Sequence, residues 1–333
     1  MTALLIISAF VVTVVPAIPS VHALAVVATI RVGSDPIGVA YDSAKGEVFV
    51  TNFVGNTVSV IADANDTVVA TVDVGHHPIG VAYDSAKGEV FVTNSGDNTT
   101  SVISDANDAV VATVKVGGYP SGIAYDPFRD EVFVVNSVND TVSVISDAKN
   151  AVVATVEVGD YPVGIAYDSA KDEVFVTNHV GDTVSVISCY TNTVVTTVEV
   201  GSGPFGVAYD PSLGEVFVTD HFQNATSVIS DANDAVVATV NSGLGLLGVV
   251  YDSSKSEVFA VDYNYGVVSV ISTASSGTPE YEILLGLALL AVVVVAVSYA
   301  VAMRARHSRG AGPRSSPTRR GSSFWLDQSG SIQ

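Results

Sequence analysis

Four histidines in the middle of the chain have side chains that could bind a transition-metal ion: His76, His77, His179 and His221. Imidazole nitrogens bind such ions at about 2 Å, so several of these rings would have to meet at one point. The single cysteine, Cys189, permits no internal disulfide, so packing must hold the fold together. Whether the histidines meet depends on the elements that carry them.

Carboxylates are the second group of side chains that could bind a ligand or take part in a reaction. Residues 24–279 contain eight Lys or Arg and 31 Asp or Glu, a net charge of −23. Such a surface repels phosphate backbones, which argues against nucleic acid as a partner, and it attracts cations or basic surfaces. The acids lack the spacing of an EF-hand calcium loop. Asp42 and its equivalents follow apolar runs, and we predict that they accept backbone N–H groups of turns.

A 42-residue repeat organises these residues. Each unit holds four short runs rich in Val, Ile and Thr, separated by turns of Gly, Pro, Asn and Asp. Four strands in about 40 residues are typical of one β-propeller blade. We therefore predict an all-β, six-bladed β-propeller over residues 24–272. The Tyr-Asp pair that marks each unit begins at Tyr41, Tyr83, Tyr125, Tyr167, Tyr209 and Tyr251.

The ends of the repeat predict how the ring closes. The chain enters with Val26-Val27-Ala28-Thr29-Ile30, a copy of the blade-final segment, and the last unit stops after Ile271 without one. We expect this N-terminal strand to complete the last blade, which would leave no open sheet edge.

The segment Phe49-Val50-Thr51-Asn52, with copies at 91–94 and 175–178, resembles the Tyr-Val-Thr-Asn signature of the YVTN-repeat β-propellers. The resemblance covers roughly residues 26–272 and implies a cell-surface protein of the surface-layer or surface-antigen type. The chain departs from this signature at Val135, at Asp220 and at residues 260–262, and Leu246 replaces the loop proline. These departures indicate a divergent last blade.

Two sets of loops vary most among the units, and by analogy with WD-repeat propellers both emerge on one face. We predict that this face binds a ligand, with ordinary loop variation as the alternative explanation. The histidines fall in the second, fourth and fifth units, which are not all neighbours in a ring of six, so we assign no metal site. The predicted ligand-binding residues are Asp35, His76, His77, Tyr119, Tyr161, His179, His221 and Tyr263.

We assign no catalytic residue and no cofactor. The strands expected to line the channel carry Ile, Gly, Val and Ala, and the chain has no Cys-x-x-Cys-His motif for c-type haem. Propeller enzymes implied by the architecture are lyases of the virginiamycin B lyase type and haem d1 or quinone-dependent oxidoreductases. An enzyme with its site at the channel mouth, near Tyr161 or His179, is therefore the alternative function.

Four Asn-x-Thr sequons are candidates for N-glycosylation of an exported domain, although a repeat rich in Asn and Thr also produces them by chance. They begin at Asn65, Asn98, Asn139 and Asn224.

Both ends of the chain predict membrane targeting. Residues 1–23 hold an apolar run and end in Val21-His22-Ala23, which favours a cleaved signal peptide over an uncleaved anchor. Residues 273–282 form a linker, and residues 283–303 are uncharged and long enough for one transmembrane helix. The Arg-rich tail, residues 304–333, is predicted to be disordered and cytoplasmic.

Together these features predict a single-pass protein of the cell membrane with an extracellular propeller. Its predicted activity is noncovalent binding, adhesion or display in a surface layer. The predicted partners are the membrane, through residues 283–303, and a surface protein, a glycan or a cation. Lateral self-association is the structural alternative to a receptor role.

Overall fold

The structure is a computed structural model that describes residues 28–273, and the described chain is all β apart from one 3₁₀ turn over Asp147–Lys149. Six antiparallel sheets follow one another along the chain, and each pairs its strands in sequence order. The predicted six-bladed β-propeller is confirmed. Within residues 28–273 no helix is long and apolar enough to cross a membrane. The predicted signal peptide, linker, membrane helix and tail lie outside the described residues or, for the linker, almost entirely so.

The first three blades each have four strands. Blade 1 contains β1 (Pro36–Asp42), β2 (Glu47–Asn52), β3 (Thr57–Ala62) and β4 (Thr67–Asp73). Blade 2 contains β5 (Pro78–Asp84), β6 (Glu89–Asn94), β7 (Thr99–Ser104) and β8 (Ala109–Lys115). Blade 3 contains β9 (Pro120–Asp126), β10 (Glu131–Asn136), β11 (Thr141–Ser146) and β12 (Ala151–Glu157).

Blades 4 and 5 repeat this pattern and blade 6 has three strands. Blade 4 contains β13 (Pro162–Asp168), β14 (Glu173–Asn178), β15 (Thr183–Ser188) and β16 (Thr193–Glu199). Blade 5 contains β17 (Pro204–Asp210), β18 (Glu215–Asp220), β19 (Ala225–Ser230) and β20 (Ala235–Asn241). Blade 6 contains β21 (Leu246–Asp252), β22 (Glu257–Asp262) and β23 (Val267–Ser272).

The hydrophobic core lies between blades rather than within them. Phe49 and Val60 of blade 1, for example, pack against Val90 and Val92 of blade 2. The central strands of a blade, such as β6 and β7, are buried at nearly every position, so both faces of the blade need an apolar partner. Each blade therefore depends on its neighbour for stability.

The contact between blade 6 and blade 1 is looser than the others. Val268 and Val270 of β23 are 52% and 53% exposed, whereas their equivalents in blade 3, Val142 and Val144, are fully buried against blade 4. On the other side of this boundary, Val39 of β1 is 68% exposed. The described residues thus present an open seam between the first and last blades.

The predicted closing strand is not formed where the structure describes it. Residues 28–30 are not in a strand, and within residues 28–273 the sheet of blade 6 has three strands. Val26 and Val27, the first residues of the predicted strand, lie outside the described residues. Every pairing that is observed joins consecutive strands. The closing pair would instead join the two ends of the domain, which is the pairing that loop-closure entropy opposes most.

Candidate functional site

Two sets of loops meet at one end of the propeller: those that enter each blade and the turns between its second and third strands. In blade 2 the N–H groups of Ser95 and Gly96 donate to the carbonyl oxygens of His77 and His76, both at 3.0 Å. In blade 4 the His179 N–H donates to the Tyr161 carbonyl at 3.0 Å. These loops form one surface, which we call the loop face, as the analogy with WD-repeat propellers predicted.

In blades 1 to 5 a side chain also fixes the loop that enters the next blade. Asn98 Oδ1 accepts from the Tyr119 N–H at 2.9 Å, and Asp140 Oδ1 accepts from the Tyr161 N–H at 2.8 Å. Asn56 holds the His77 N–H in the same way at 2.9 Å. The loop face is therefore tied down across blade boundaries, and its side chains project from fixed backbone positions.

Four of the predicted ligand-binding residues have a strained backbone: Asp35, with a φ of 53°, and the three ring-bearing residues of blades 2 to 4. His77, Tyr119 and Tyr161 have φ values of 54°, 53° and 49°, in the left-handed region that favours glycine. Blades 5 and 6 do have glycine at this repeat position, Gly203 and Gly245. Blades 2 to 4 thus carry a bulky ring where the repeat accepts a less costly residue.

The loop face of blades 4 and 5 carries an aromatic–histidine cluster, made of Tyr161, His179, Phe205, His221 and Phe222. His179 lies near its centre, with its ring centroid 5.4 Å from Phe222, 5.9 Å from Phe205, 6.2 Å from His221 and 6.5 Å from Tyr161. The Phe222 ring is also 4.9 Å from His221. Tyr161 and Phe222 are exposed and the other three are half-buried.

Both histidines of this cluster bond to the next blade through the same nitrogen. His179 Nδ1 lies 3.3 Å from the Pro204 carbonyl oxygen, and His221 Nδ1 lies 3.0 Å from that of Leu246. A carbonyl oxygen only accepts, so Nδ1 is the donor in each pair and carries a proton. In the neutral ring Nε2 is then an acceptor.

The remaining predicted residues lie apart from this cluster. His76 pairs with Asp97 through Nδ1 at 2.8 Å, and the His77 ring stacks on Phe53 with centroids 4.6 Å apart. Asp35 and Tyr263 are exposed at the loops of blades 1 and 6, next to the open seam. The structure therefore brings together His179, His221 and Tyr161, but not His76 and His77.

An apolar cavity of about 360 Å³ runs along the axis below the loop face. The inner strands of all six blades line it, with Ile79, Ile123, Val163 and Phe205 among the contributing side chains. Phe205 belongs both to this wall and to the aromatic–histidine cluster. The cluster thus stands at one mouth of the channel.

The opposite end of the propeller holds most of the repeated carboxylates. Asp84 Oδ1 accepts from the N–H groups of Ala86 and Lys87 at 2.8 and 3.3 Å, and this capping recurs in the other blades as predicted. Asp147 in the next blade instead pairs with the Lys87 ammonium at 2.7 Å. Burial raises the pKa of the Asp147 and Glu89 carboxyls.

Two groups of possible metal ligands occur at this opposite end: Asp84 with Glu89 and Asp147, and Asp126 with Asp172 and Cys189. A cationic side chain already pairs with a carboxylate of each group. Lys87 contacts Asp147, and the Arg129 guanidinium contacts Asp172 at 2.7 Å. Burial also raises the pKa of the Cys189 thiol well above its usual range. These groups act as ion pairs between blades, and we assign no metal to them.

The sequons lie at turns. Asn98, Asn139 and Asn224 are in loop-face turns. The side-chain oxygens of Asn98 and Asn224 hold the entry loop of the next blade, and that of Asn139 accepts from the Gly118 N–H in the entry loop of its own blade. Asn65 is exposed in the turn between β3 and β4, at the opposite end.

Sequence reasoning did not single out Phe205 and Phe222. Phe205 stands where other units have Ile, Ser, Val or Leu, and Phe222 stands where they have Val, Gly or Asn. Comparing adjacent units in pairs, rather than each position around the whole ring, would have shown that blades 4 and 5 combine two histidines with two added phenylalanines.

Comparisons with known proteins agree on the fold. The model of the YNCE-like β-propeller family matches residues 122–274. A search of curated proteins gives no match. The chain is similar to a solved structure of a functionally unknown protein from Desulfotomaculum acetoxidans DSM 771, with a TM-score of 0.64 and 17% identity over 73% of this chain and 84% of that one. It is also similar to hydrazine synthase from Kuenenia stuttgartiensis, with a TM-score of 0.51 and 16% identity over 73% of this chain and 98% of that one. At these identities the likeness shows the fold alone.

Proposed function

We propose that this chain, whose residues 122–274 match the model of the YNCE-like β-propeller family, is a membrane-anchored cell-surface protein that recognises a ligand noncovalently through its loop face. The membrane anchor is the apolar segment 283–303, and the acidic propeller is extracellular. The ligand is a surface protein or a glycan.

The aromatic–histidine cluster is the observation that carries this proposal. Aromatic rings supply large contact areas at a low entropic cost, and they are enriched at recognition surfaces. Here the rings stand on loops fixed by cross-blade hydrogen bonds, so little ordering is needed on binding. The strained tyrosines at positions 119 and 161 add support, since strain of this kind concentrates at functional sites.

The test is a binding screen of the full-length chain in detergent against glycan and surface-protein arrays. Replacing Tyr119, Tyr161 and Phe222 by Ala should abolish a saturable signal without unfolding the propeller, because these exposed rings belong to the cluster or lie at the strained loop position beside it. Tyr190→Ala is the matched control, because Tyr190 is an exposed tyrosine on the opposite end. Loss of binding in the control, or retention in the triple variant, would refute the loop face as the recognition surface.

A second candidate function is display in a surface layer by lateral assembly. The observation that favours it is strand β23, whose outer edge has no neighbouring strand within residues 28–273. A free edge with exposed valines is a template for pairing with another chain. Ligand-free assembly of the full-length protein, followed by light scattering, would support this role, and assembly should stop when Val268 is replaced by Lys.

No catalytic residue is part of either proposal. A propeller enzyme with its site at the channel mouth would show turnover of a small substrate or a bound cofactor after purification. Loss of that activity on changing Tyr161 or His179 would establish the enzyme and replace the binding proposal.

A further inference from the structure

His179 and His221 occupy the same repeat position in two adjacent blades. Each directly follows the second strand of its blade and crosses the boundary to the first residue of the next inner strand, Pro204 or Leu246. The two rings are therefore held by the same contact, made twice with a shift of one blade. Their centroids are 6.2 Å apart.

The tautomer of these rings suits metal binding. With Nδ1–H donated to a backbone carbonyl, the lone pair of a neutral imidazole is on Nε2. Metal-binding histidines are typically oriented in this way, with the second ring nitrogen donating to a carbonyl or a carboxylate. Two imidazoles bound to one ion through nitrogens at about 2.0–2.1 Å have ring centroids roughly 5 Å apart at a tetrahedral angle and roughly 6.4 Å apart when trans, so the observed 6.2 Å fits a wide N–metal–N angle, as in a square-planar copper or nickel site.

The surroundings restrict what kind of ion would bind. Phe222 and Phe205 flank both rings and supply no oxygen ligands, so a hard cation such as calcium has little to bind here. Imidazole nitrogens suit copper, nickel and zinc. The net charge of −23 on residues 24–279 raises the local concentration of any cation.

We propose that His179 and His221 form a two-histidine site for a divalent transition-metal ion, with water or a ligand group in the remaining positions. The site was not expected from sequence, because the four histidines were considered as one set. His76 and His77 do not take part, since His76 pairs with Asp97 and His77 stacks on Phe53. The site shares the aromatic–histidine cluster with the recognition proposed above, but its test is separate, because a metal titration needs no other ligand.

The test uses full-length protein purified through a tag without histidine and titrated with Cu²⁺ and with Zn²⁺. We expect one saturable site, and His179→Ala or His221→Ala should weaken it at least about tenfold. Pulsed electron paramagnetic resonance of the Cu²⁺ form should show two coordinated imidazoles, and one in each single variant. The matched control, His76→Ala with His77→Ala, should leave affinity and spectrum unchanged.

A second variant separates metal loss from misfolding. His221→Asn keeps an N–H donor for the Leu246 carbonyl but removes the imidazole, so it should retain the thermal unfolding midpoint and still lose the metal. Unchanged affinity in His179→Ala with His221→Ala would overturn the proposal. So would dependence of binding on His76 and His77, or a spectrum with a single imidazole in the parent protein.

Discussion

The hydroxyl of Thr93 in blade 2 donates to the carbonyl oxygen of Ser121 in blade 3 at 2.9 Å, and it accepts from the N–H of Gly80 at 2.8 Å. The same two bonds recur at Thr51, Thr177 and Thr219, so one threonine links each of these blades to the next. Blade 3 has Val135 at this position, and there the Ser121 hydroxyl donates to the Val163 carbonyl at 3.2 Å.

Replacing Thr93 by Val should destabilise the propeller by about 1–2 kcal/mol, because the carbonyl of Ser121 and the half-buried N–H of Gly80 lose their shared partner. The measurement is urea unfolding of the full-length chain followed by circular dichroism. Thr113→Val is the control, since Thr113 is exposed on the outer strand of the same blade. A cost for Thr93→Val no larger than that of the control would show that the hydroxyl does not stabilise the interface.

Two glycines at the same repeat position test the open seam. A Cβ on Gly122 would lie 2.5 Å from the Val163 carbonyl oxygen of the next blade, whereas one on Gly248 would meet nothing closer than Val261 of its own blade, at 4.0 Å. Gly122→Ala should therefore cost about 2 kcal/mol or more through overpacking. Gly248→Ala should be close to neutral under the same urea unfolding.

The comparison of these two variants also reports on ring closure. If blade 1 packs on blade 6 as the other blades pack on one another, Gly248→Ala will be as costly as Gly122→Ala. That outcome would show a closed ring and contradict the open seam between β1 and β21.

Asp220 is a buried carboxyl where four other blades have Asn, at positions 52, 94, 136 and 178. Burial raises its pKa to about 6, against about 3.9 in an unfolded chain. The folded state therefore holds this proton more tightly, and stability contributed by the protonated form is lost as pH rises through 6. Asp220→Asn should stabilise the protein by about 1–2 kcal/mol at pH 7 and by nearly nothing at pH 4.

Urea unfolding of the parent and of Asp220→Asn between pH 4 and pH 7 checks this prediction. Ser227, which donates to Asp220 Oδ2 at 2.7 Å, can accept from the new amide instead, as Ser185 does from Asn178. Thr113→Val, which removes no titratable group, should leave the pH dependence unchanged. An Asp220→Asn gain that is constant across the pH range would rule out titration of this carboxyl as the cause.

The 42-residue period was enough to predict the number of blades, their strands and the turn-capping role of Asp84, because these depend on local sequence that repeats without insertion. The inter-blade contacts were not predictable in the same way. The Thr93 bond to Ser121 and the Lys87 pair with Asp147 join residues on different blades, whose relative positions depend on how the ring packs.

The candidate site was only partly predictable for the same reason. Position within the repeat placed His179 and His221 on the loop face. It did not predict that Nδ1 of both rings would contact a carbonyl of the next blade, because that depends on how neighbouring blades pack. The closing strand was predicted at the boundary between blade 6 and blade 1, which joins the two ends of the repeat and therefore has no second copy in the sequence. Its described part, residues 28–30, is not a strand.

Tyr119 on the loop face has a strained backbone. Tyr119 has a φ of 53°, which costs a residue with a Cβ about 1–2 kcal/mol, while glycine there would cost about 0.5–1 kcal/mol through the entropy of the unfolded chain. Tyr119→Gly should therefore raise the free energy of unfolding by about 0.5–1 kcal/mol. The same variant should weaken binding of the loop-face ligand, because the exposed ring is removed.

Tyr190→Gly is the control, since Tyr190 is exposed at a turn and has no positive φ. Glycine relieves no backbone strain there, so this variant should only lower the free energy of unfolding. Urea unfolding and array binding of both variants give two independent readouts. A more stable Tyr119→Gly protein with weaker binding would show that stability is given up at this position for recognition. A less stable Tyr119→Gly protein would mean that the ring makes contacts worth more than its backbone strain, and position 119 would then be structural rather than part of the recognition surface.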